Sequence, residues 1–440
     1  MTGTALPIAQ SPLAEARAGL DRCVHCGFCL PACPTYLALD DENDSPRGRL
    51  LLMGALLEGS ISPDDATIGR HFDQCLGCRG CESACPSGVP YGELIEATRA
   101  TLATHRPLPF IARFILSVFA ELWLLRPVLA AARVVRGSGL ARLAARVLPA
   151  RMGMPFAMLA STARSAVPSY DPAKARLASD DNEAHMDVHR GRAALLTGCV
   201  MESLFTDVNR ATERTLAVNG WQLCEAGDQV CCGALHAHAG DPETARSLAR
   251  TNIAAFEQSG ADVIVMNSAG CGAMCREYGH LLADDPAWAA RASRFGAKVR
   301  DISELLAEAG PRQPASAPGH ERTTVTYDAP CHLQHAQRIT APPLKVLALL
   351  PDTTLVPLTD SDQCCGSAGI FNLVRPEVAE RVLDPKLARI AESGATVVAT
   401  GNPGCLMQIG GGLFLSGSPV VARHPVELLD MAYARAARAD

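Results

Sequence analysis

The sequence predicts a chain of mixed α and α/β class: a helical N-terminal part, a helical connector, and two copies of an α/β unit, each on a parallel sheet. Three observations carry this. Eight cysteines fall in two runs of one design, "CVHCGFCLPACP" at 23–34 and "CLGCRGCESACP" at 75–86. A basic, apolar stretch with a helical pattern follows them. Residues 191–440 then hold an internal repeat in which short β-rich runs alternate with helical stretches. The expected parts are 1–106 for the two tetrads, 107–190 for connector and linker, and 191–318 and 319–440 for the two repeats.

The chain of 440 residues is too long for one compact core. Apolar residues make up 48% and charged residues 20%, a globular composition. The net charge of −6 gives no reason to expect nucleic acid as a partner. Eighteen cysteines are the outlier. The opening stretch "MTGTALPIAQSPLAEARAGLD" has neither a basic n-region nor an apolar h-region, so no secretory signal is read there. A cytoplasmic location is expected, and clustered cysteines then point to metal rather than to a disulfide framework. Soft thiolates favour zinc, copper(I) or iron–sulfur clusters.

In the N-terminal part, Cys23, Cys26, Cys29 and Cys33-Pro34 follow the C-x2-C-x2-C-x3-C-P run, and Cys75, Cys78, Cys81 and Cys85-Pro86 repeat it. In two-cluster ferredoxins the first three cysteines of such a run hold one cube and the fourth crosses to the other. The expected sets are therefore Cys23, Cys26, Cys29 and Cys85 on one [4Fe–4S] cluster, and Cys75, Cys78, Cys81 and Cys33 on a second. Structural zinc is the competing reading, but zinc sites usually take two C-x2-C pairs rather than a triple followed by Cys-Pro. Between the runs, Ser45-Pro46 can open a helix. Arg47 and Arg49 would either offset cluster charge or be ordinary solvated arginines.

The connector contains "LPFIARFILSVFAELWLLRPVLAAARVV" (108–135), interrupted by Arg113, Glu121 and Arg126-Pro127. Its charge-free stretches fall short of the ~18–20 residues a membrane span requires. From Leu122 to Tyr170 there is no Asp or Glu but there are seven arginines: 126, 133, 136, 142, 146, 151 and 164. Two readings stay open. One is a basic amphipathic segment on an anionic membrane surface or a partner, which would place the chain peripherally on the inner face of the membrane. The other is two helices packed on their own protein. "PSYDPAKARLASDDNEAHMDVHRGR" then reads as an exposed linker.

Each repeat has the same order of parts. The first runs from "ALLTGCV" through "DQVCCGALHAH" to "SGADVIVMNSAGCGAMC"; the second runs from "VTYDAPCHL" through "DQCCGSAGIFN" to "SGATVVATGNPGCLMQ". The runs "AALLTG", "VIVMN", "TVTYDA" and "TVVAT" are expected strands, with helices over 241–258 and 376–392. Cys199, Cys271, Cys331 and Cys405 then sit just past strand C-termini, where open α/β sheets place ligands. One pocket would gather Cys199, Cys231, Cys232 and Cys271, the other Cys331, Cys364, Cys365 and Cys405. Four thiolates suffice for an ordinary cube, so one or two further clusters are expected there. Gly233 and Gly366 fit a close backbone approach. Cys224 is expected to be core, and His236, His238, His332 and His335 to be polar neighbours.

The "CVHCGFC…CP…SPRGR" block followed by two CCG repeats, with "CCGALH" and "NPGCLMQI", resembles the iron–sulfur subunit of bacterial glycolate oxidase (glycolate dehydrogenase) over nearly the whole chain. The wider CCG-domain group includes the anaerobic glycerol-3-phosphate dehydrogenase small subunit, lactate-utilisation proteins and heterodisulfide reductase. In members like the last, a repeat ends in C-x2-C and five cysteines hold an unusual cluster. This chain departs from that pattern: Cys275 lies four positions after Cys271, and the second repeat ends without a last cysteine.

No strand-to-helix GxGxxG and no P-loop is present, so the organic chemistry is expected on another subunit. The resemblance implies a FAD-containing subunit that oxidises glycolate to glyoxylate, with this chain passing electrons to a quinone or another acceptor. Alternatives are a subunit of a related lactate or glycerol-3-phosphate dehydrogenase, a heterodisulfide reductase-like thiol/disulfide enzyme, or a non-redox zinc scaffold.

Overall fold

The structure is a computed structural model that describes residues 8–163, 170–178, 189–317 and 322–438. Arg164, much of the expected linker and the first seven residues lie outside the described residues.

The N-terminal part is helical. Helices α1 (Pro34–Leu39) and α2 (Pro46–Leu57) both begin on proline, whose missing N–H is harmless in a first turn. Ser45 opens α2 as expected, its Oγ accepting the Gly48 N–H at 2.9 Å. Helices α3 (Gly80–Ala84) and α4 (Tyr91–Ala103) follow the second cysteine run. Leu13, Met53, Phe72 and Leu94 form a buried core into which Cys75 and Cys81 also pack.

The connector forms four helices rather than two: α5 (Phe110–Ala120), α6 (Leu122–Gly137), α7 (Leu140–Val147) and α8 (Ala150–Ser161). Among the described residues no single helix is long and apolar enough to cross a membrane, and α5 and α6 meet at a 106° bend. Leu125 and Leu129 of α6 enter the core of the repeats, while α8 packs along the second repeat. Phe110, Ile111, Phe114 and Trp123 remain exposed.

Each repeat carries a four-stranded, all-parallel sheet. The first is β1 (Arg192–Leu195), β2 (Gln222–Leu223), β3 (Val263–Met266) and β4 (Val299–Asp301), in the order β2-β1-β3-β4. The second is β5 (Thr323–Tyr327), β6 (Thr353–Val356), β7 (Val397–Ala399) and β8 (Val421–Arg423), in the order β6-β5-β7-β8. Corresponding registers join Ala193 to Val263 and Val325 to Val397. The first repeat's helices include α9 (Cys199–Leu204), α10 (Ala234–Ala239), α11 (Pro242–Ser259) and α12 (Ala269–Arg276). The second has α13 (Pro376–Glu392), α14 (Pro403–Leu415) and α15 (Pro425–Ala436). The strand order reverses direction between the two central strands, so their C-terminal loops diverge and leave a crevice.

The two sheets share one core, which joins Leu195 and Val265 to Val325 and Val398. A buried ion pair also crosses between them. Asp430 of α15, with no exposed side-chain surface, accepts from Arg214 Nη2 at 2.6 Å and Nε at 2.9 Å. The repeats thus share both a core and a buried ion pair.

Candidate metal centres

The two N-terminal runs repeat in backbone as well as in sequence. Two and four residues after the first cysteine the chain turns left-handed: His25 and Gly27 (φ 55° and 85°) in one run, Gly77 and Arg79 (both 62°) in the other. Alternating handedness turns successive N–H groups toward one side, a concavity suited to anionic sulfur. The Gly77 N–H lies 3.4 Å from Cys75 Sγ. At the end of the first run Cys33 caps α1, and Pro34 carries the chain away.

Cys23, Cys26, Cys29 and Cys85 line one cavity, with Cys81 also on its wall. Cys33, Cys75, Cys78 and Cys81 line the adjoining one. The fourth cysteine of each run therefore lies with the first three of the other. The first cavity is the outer one, since Cys26 is exposed, while Cys33, Cys75 and Cys81 are buried in the second.

Arg49 is not a solvated arginine. It is 1% exposed, and its Nη2 donates to Asp44 Oδ1 and Thr35 Oγ1, both at 3.2 Å, and its Nε to the His71 carbonyl at 2.7 Å. Burial opposes its charge, but Tyr91, Cys75, Cys33 and Asp44 outweigh that and raise its pKa. Thr35 Oγ1 in turn lies 3.3 Å from Cys33 Sγ. Arg47, half-exposed, reaches the His25 carbonyl at 3.4 Å beside the outer cavity.

In the first repeat, Cys199 starts α9 just past β1, and Cys271 lies on α12 just past β3. Cys231 and Cys232 reach the same place on the turn before α10. Cys199 and Cys231 stand 3.8 Å apart, and Cys232 bridges Cys231 and Cys271 by thiol hydrogen bonds. Cys275, one turn along α12 from Cys271, is fully buried, and the nearby Tyr278 hydroxyl donates to the Cys232 carbonyl at 2.8 Å. Cys224 packs against the apolar core of this repeat.

The second repeat brings Cys331, Cys364, Cys365 and Cys405 together in the same way. The glycine after each pair is required by the backbone. Gly366 has φ +84°, and a Cβ there would stand 2.7 Å from the Ala379 carbonyl oxygen. Gly233 has φ +86° and lies against Ala245. The Cys78 side chain from the inner N-terminal cavity packs in one cluster with Cys364 and Cys331. Leu76 and Phe371 pack beside them in a shared apolar cluster. The sequence carries no signal for this junction, because it is made by packing between parts some 290 residues apart.

The donor sets suit a soft, multiply charged centre. Hydrogen bonds from Cys199 and Cys232 pull Cys231 well below the usual thiol pKa, and those from Cys331, Cys365 and Cys78 do the same for Cys364. Their partners are pushed up, by the same shared protons and by burial. In the first set Cys232 also pulls Cys271 down. Each buried set thus mixes thiols that ionise readily with thiols held protonated unless a cation takes the proton's place. Thiolate ligands of iron or zinc satisfy that condition.

The four histidines divide. His236 Nε2 meets the Leu116 carbonyl at 3.0 Å, His238 Nδ1 meets Glu96 Oε1 at 2.7 Å, and His335 Nδ1 meets Ser83 Oγ at 2.9 Å. These three join the repeats to the connector and N-terminal part. His332 Nδ1 lies 3.7 Å from Cys331 Sγ, and its ring stacks on His238 with centroids 5.4 Å apart.

Comparison with known proteins agrees with this anatomy. Residues 19–89 match the family described as 4Fe-4S dicluster domain, and residues 193–276 and 325–410 each match the cysteine-rich domain. The probable glycolate oxidase iron-sulfur subunit of Bacillus subtilis is 36% identical over 428 residues, 92% of each chain. The glycolate oxidase iron-sulfur subunit of Escherichia coli is 33% identical over 95% of each chain. Lactate utilization protein A of an Exiguobacterium is 34% identical over 54% of this chain and 96% of its own length. The tetrads, the paired repeats and near full-length similarity make this chain an iron–sulfur, electron-transferring component of an oxidoreductase complex, and it belongs to the glycolate oxidase iron–sulfur subunit family.

Proposed function

We propose that this chain accepts electrons from a FAD-bearing subunit that oxidises glycolate to glyoxylate and delivers them to a quinone. Oxidation of the hydroxyl to the carbonyl releases two electrons and two protons. When bound, [4Fe–4S] clusters supply one-electron carriers. The proposed holders are Cys23, Cys26, Cys29 and Cys85 for the outer set and Cys75, Cys78, Cys81 and Cys33 for the inner. Cys331, Cys364, Cys365 and Cys405 would hold a third centre, and Cys199, Cys231, Cys232 and Cys271 a fourth.

The observation that carries this reading is the chain of sulfur contacts. Cys81 stands on the walls of both N-terminal cavities, and Cys78 packs in one cluster with Cys364. Cysteine side chains thus follow one another from exposed Cys26 to the buried second repeat. The port is apolar as well, since Val24 and Phe28 are exposed around Cys26. Such a patch suits the donor subunit. The face formed by α5 and α6, with Phe110, Ile111, Phe114 and Trp123 beside exposed Arg126 and Arg133, suits an anionic bilayer, where quinone dissolves.

The test is glycolate-dependent dye reduction by the complex purified anaerobically with its partner subunits. Cys23→Ser and Cys75→Ser should each abolish transfer beyond the flavin. Unchanged reduction of a dye that docks on this chain, or zinc without iron and acid-labile sulfide, would overturn the reading.

A further inference from the structure

We propose that the cleft between α4, α5, α10 of the first repeat and the second repeat is the quinone-reducing site, with His238 as its proton donor; the proposal rests on the electron-transfer reading above. The cleft is open at its mouth, and its empty space, that open solvent included, is about 1050 Å³. Leu76, Leu108, Leu235, Ile370, Phe371 and Val374 give it apolar walls. Cys75 of the inner tetrad forms part of the wall, so a molecule seated there touches the electron-carrying core.

The polar groups in the cleft are few, and most are already paired. Arg106 and Arg375 are both bonded to Asp73. Arg99 donates to the His238 carbonyl at 2.8 Å and to the Cys75 carbonyl at 2.5 Å. The two imidazoles, His238 and His332, are stacked in the cleft wall. His238 Nδ1 is engaged by Glu96, which leaves Nε2 for a ligand. His332 Nε2 is buried with no hydrogen-bond partner. The open Nε2 of His238, in an apolar slot walled in part by Cys75 of the inner tetrad, suits a flat, apolar dicarbonyl that is reduced by two electrons.

The adjoining surface points to the same chemistry. Pro107, Leu108 and Pro109 line the cleft, and the chain passes directly from them into exposed Phe110, Ile111 and Phe114. A lipid-soluble acceptor would therefore meet apolar surface from bilayer to site.

The balance is simple. One quinone takes up two electrons and two protons and becomes one quinol. The electrons are those released by oxidation of the organic substrate and arrive one at a time. His238 gives a proton from Nε2 to the carbonyl oxygen as charge develops there. Glu96, one third exposed, holds the ring in place and links it to solvent, from which the proton is replaced and the second proton follows. Glu96 is a positioning residue; His238 touches the acceptor.

The test combines binding with turnover, using the iron-loaded complex and 2-heptyl-4-hydroxyquinoline N-oxide, whose fluorescence is quenched when it enters a quinone site. The unaltered protein should quench one equivalent per chain. Leu235→Trp fills the cleft and should weaken that binding about tenfold or more. His238→Gln keeps a partner for Glu96 and should still bind the probe. Its ratio of decylubiquinone to dye reduction should fall roughly a hundredfold, through kcat rather than KM. Glu96→Gln should show the same split more weakly, and Glu96→Asp should restore part of it. EPR of each variant checks that the centres persist.

Probe binding to Leu235→Trp as tight as to the unaltered protein would overturn the proposal, as would an unchanged reduction ratio in His238→Gln. A complex that reduces dye with glycolate but neither binds the probe nor reduces quinone would end this inference and leave the relay intact. A complex that binds the probe at this cleft but passes no electrons to dye would instead count against the relay.

Discussion

At the scale of single residues, the buried arginine of the N-terminal part has the largest consequence that its surroundings can be used to weigh. Arg49 answers Asp44, Thr35 and the His71 carbonyl where water cannot. Asp44 also accepts from His71 Nδ1 at 3.1 Å. Removing one partner of a buried pair leaves the other charge uncompensated, which costs about 3–5 kcal/mol. Arg49→Met should therefore lower the denaturant midpoint of the N-terminal part and release iron from the inner tetrad first, because Thr35 and Cys33 belong to the same network. An unchanged midpoint with full iron would refute this. Tyr91 offers a gentler probe, its hydroxyl standing 3.8 Å from Cys75 Sγ. Tyr91→Phe should keep the iron and lower the reduction potential of that centre, since hydrogen bonds to sulfur favour the reduced state. Redox titration followed by EPR measures it. The sequence marked Arg49 as basic and close to cysteines, but its burial depends on Asp44 and His71 arriving from other elements, which no local pattern encodes.

At the scale of elements, legibility follows burial and length. The central strands β1, β3, β5 and β7 are apolar runs and were readable as such. The edge strands β2, β4, β6 and β8, two to four residues long, carry too few positions for a period. Helices α11 and α13 start and stop within a residue or so of expectation, because Pro242 and Pro376 fix their first turns and Gly260 and Gly394 follow their ends. The connector resolved into four helices because Glu121, Gly139 and Pro149 break what reads as continuous apolar periodicity. The turn before α10 and its counterpart in the second repeat were legible from the cysteine pair and its glycine. That turn makes a clear prediction. Gly366→Ala adds a left-handed strain of about 1–3 kcal/mol, and its Cβ would also collide with the Ala379 carbonyl. The second repeat should lose its centre while the two N-terminal cavities keep theirs. Iron and sulfide per chain would fall by one cluster, with the N-terminal EPR signals retained. Loss of all the signals together, or of none, would show that the turn does not act locally.

At the scale of the molecule, the helical connector is where packing and exposure diverge. Leu125 and Leu129 anchor α6 in the shared core, yet Trp123 on the same helix is 70% exposed and Phe110 on α5 is 81% exposed. Isolated exposed apolar residues are ordinary on any protein. Here they are neighbours on two adjoining helices, and arginines flank them without a single acidic residue from Leu122 to Tyr170. Arg136, bonded to the Thr162 and Leu204 carbonyls, and Arg151, paired with Glu377, serve packing, but Arg126 and Arg133 stand exposed. An anionic bilayer uses exposed arginines and aromatics together, each arginine near the surface contributing about 1 kcal/mol and each inserted aromatic side chain about 1.5–3 kcal/mol. The intact complex should therefore co-sediment with phosphatidylglycerol vesicles and much less with phosphatidylcholine, and salt should weaken but not abolish the binding. Replacing Phe110, Phe114 and Trp123 together by serine should release it at all salt concentrations, whereas Arg126→Gln with Arg133→Gln should remove the lipid preference and leave residual apolar binding. Because these five side chains stand in solvent, neither set should alter the thermal midpoint. Vesicle binding that survives the serine substitutions would assign this face to another subunit instead, and the same substitutions would then dissociate the complex on a sizing column.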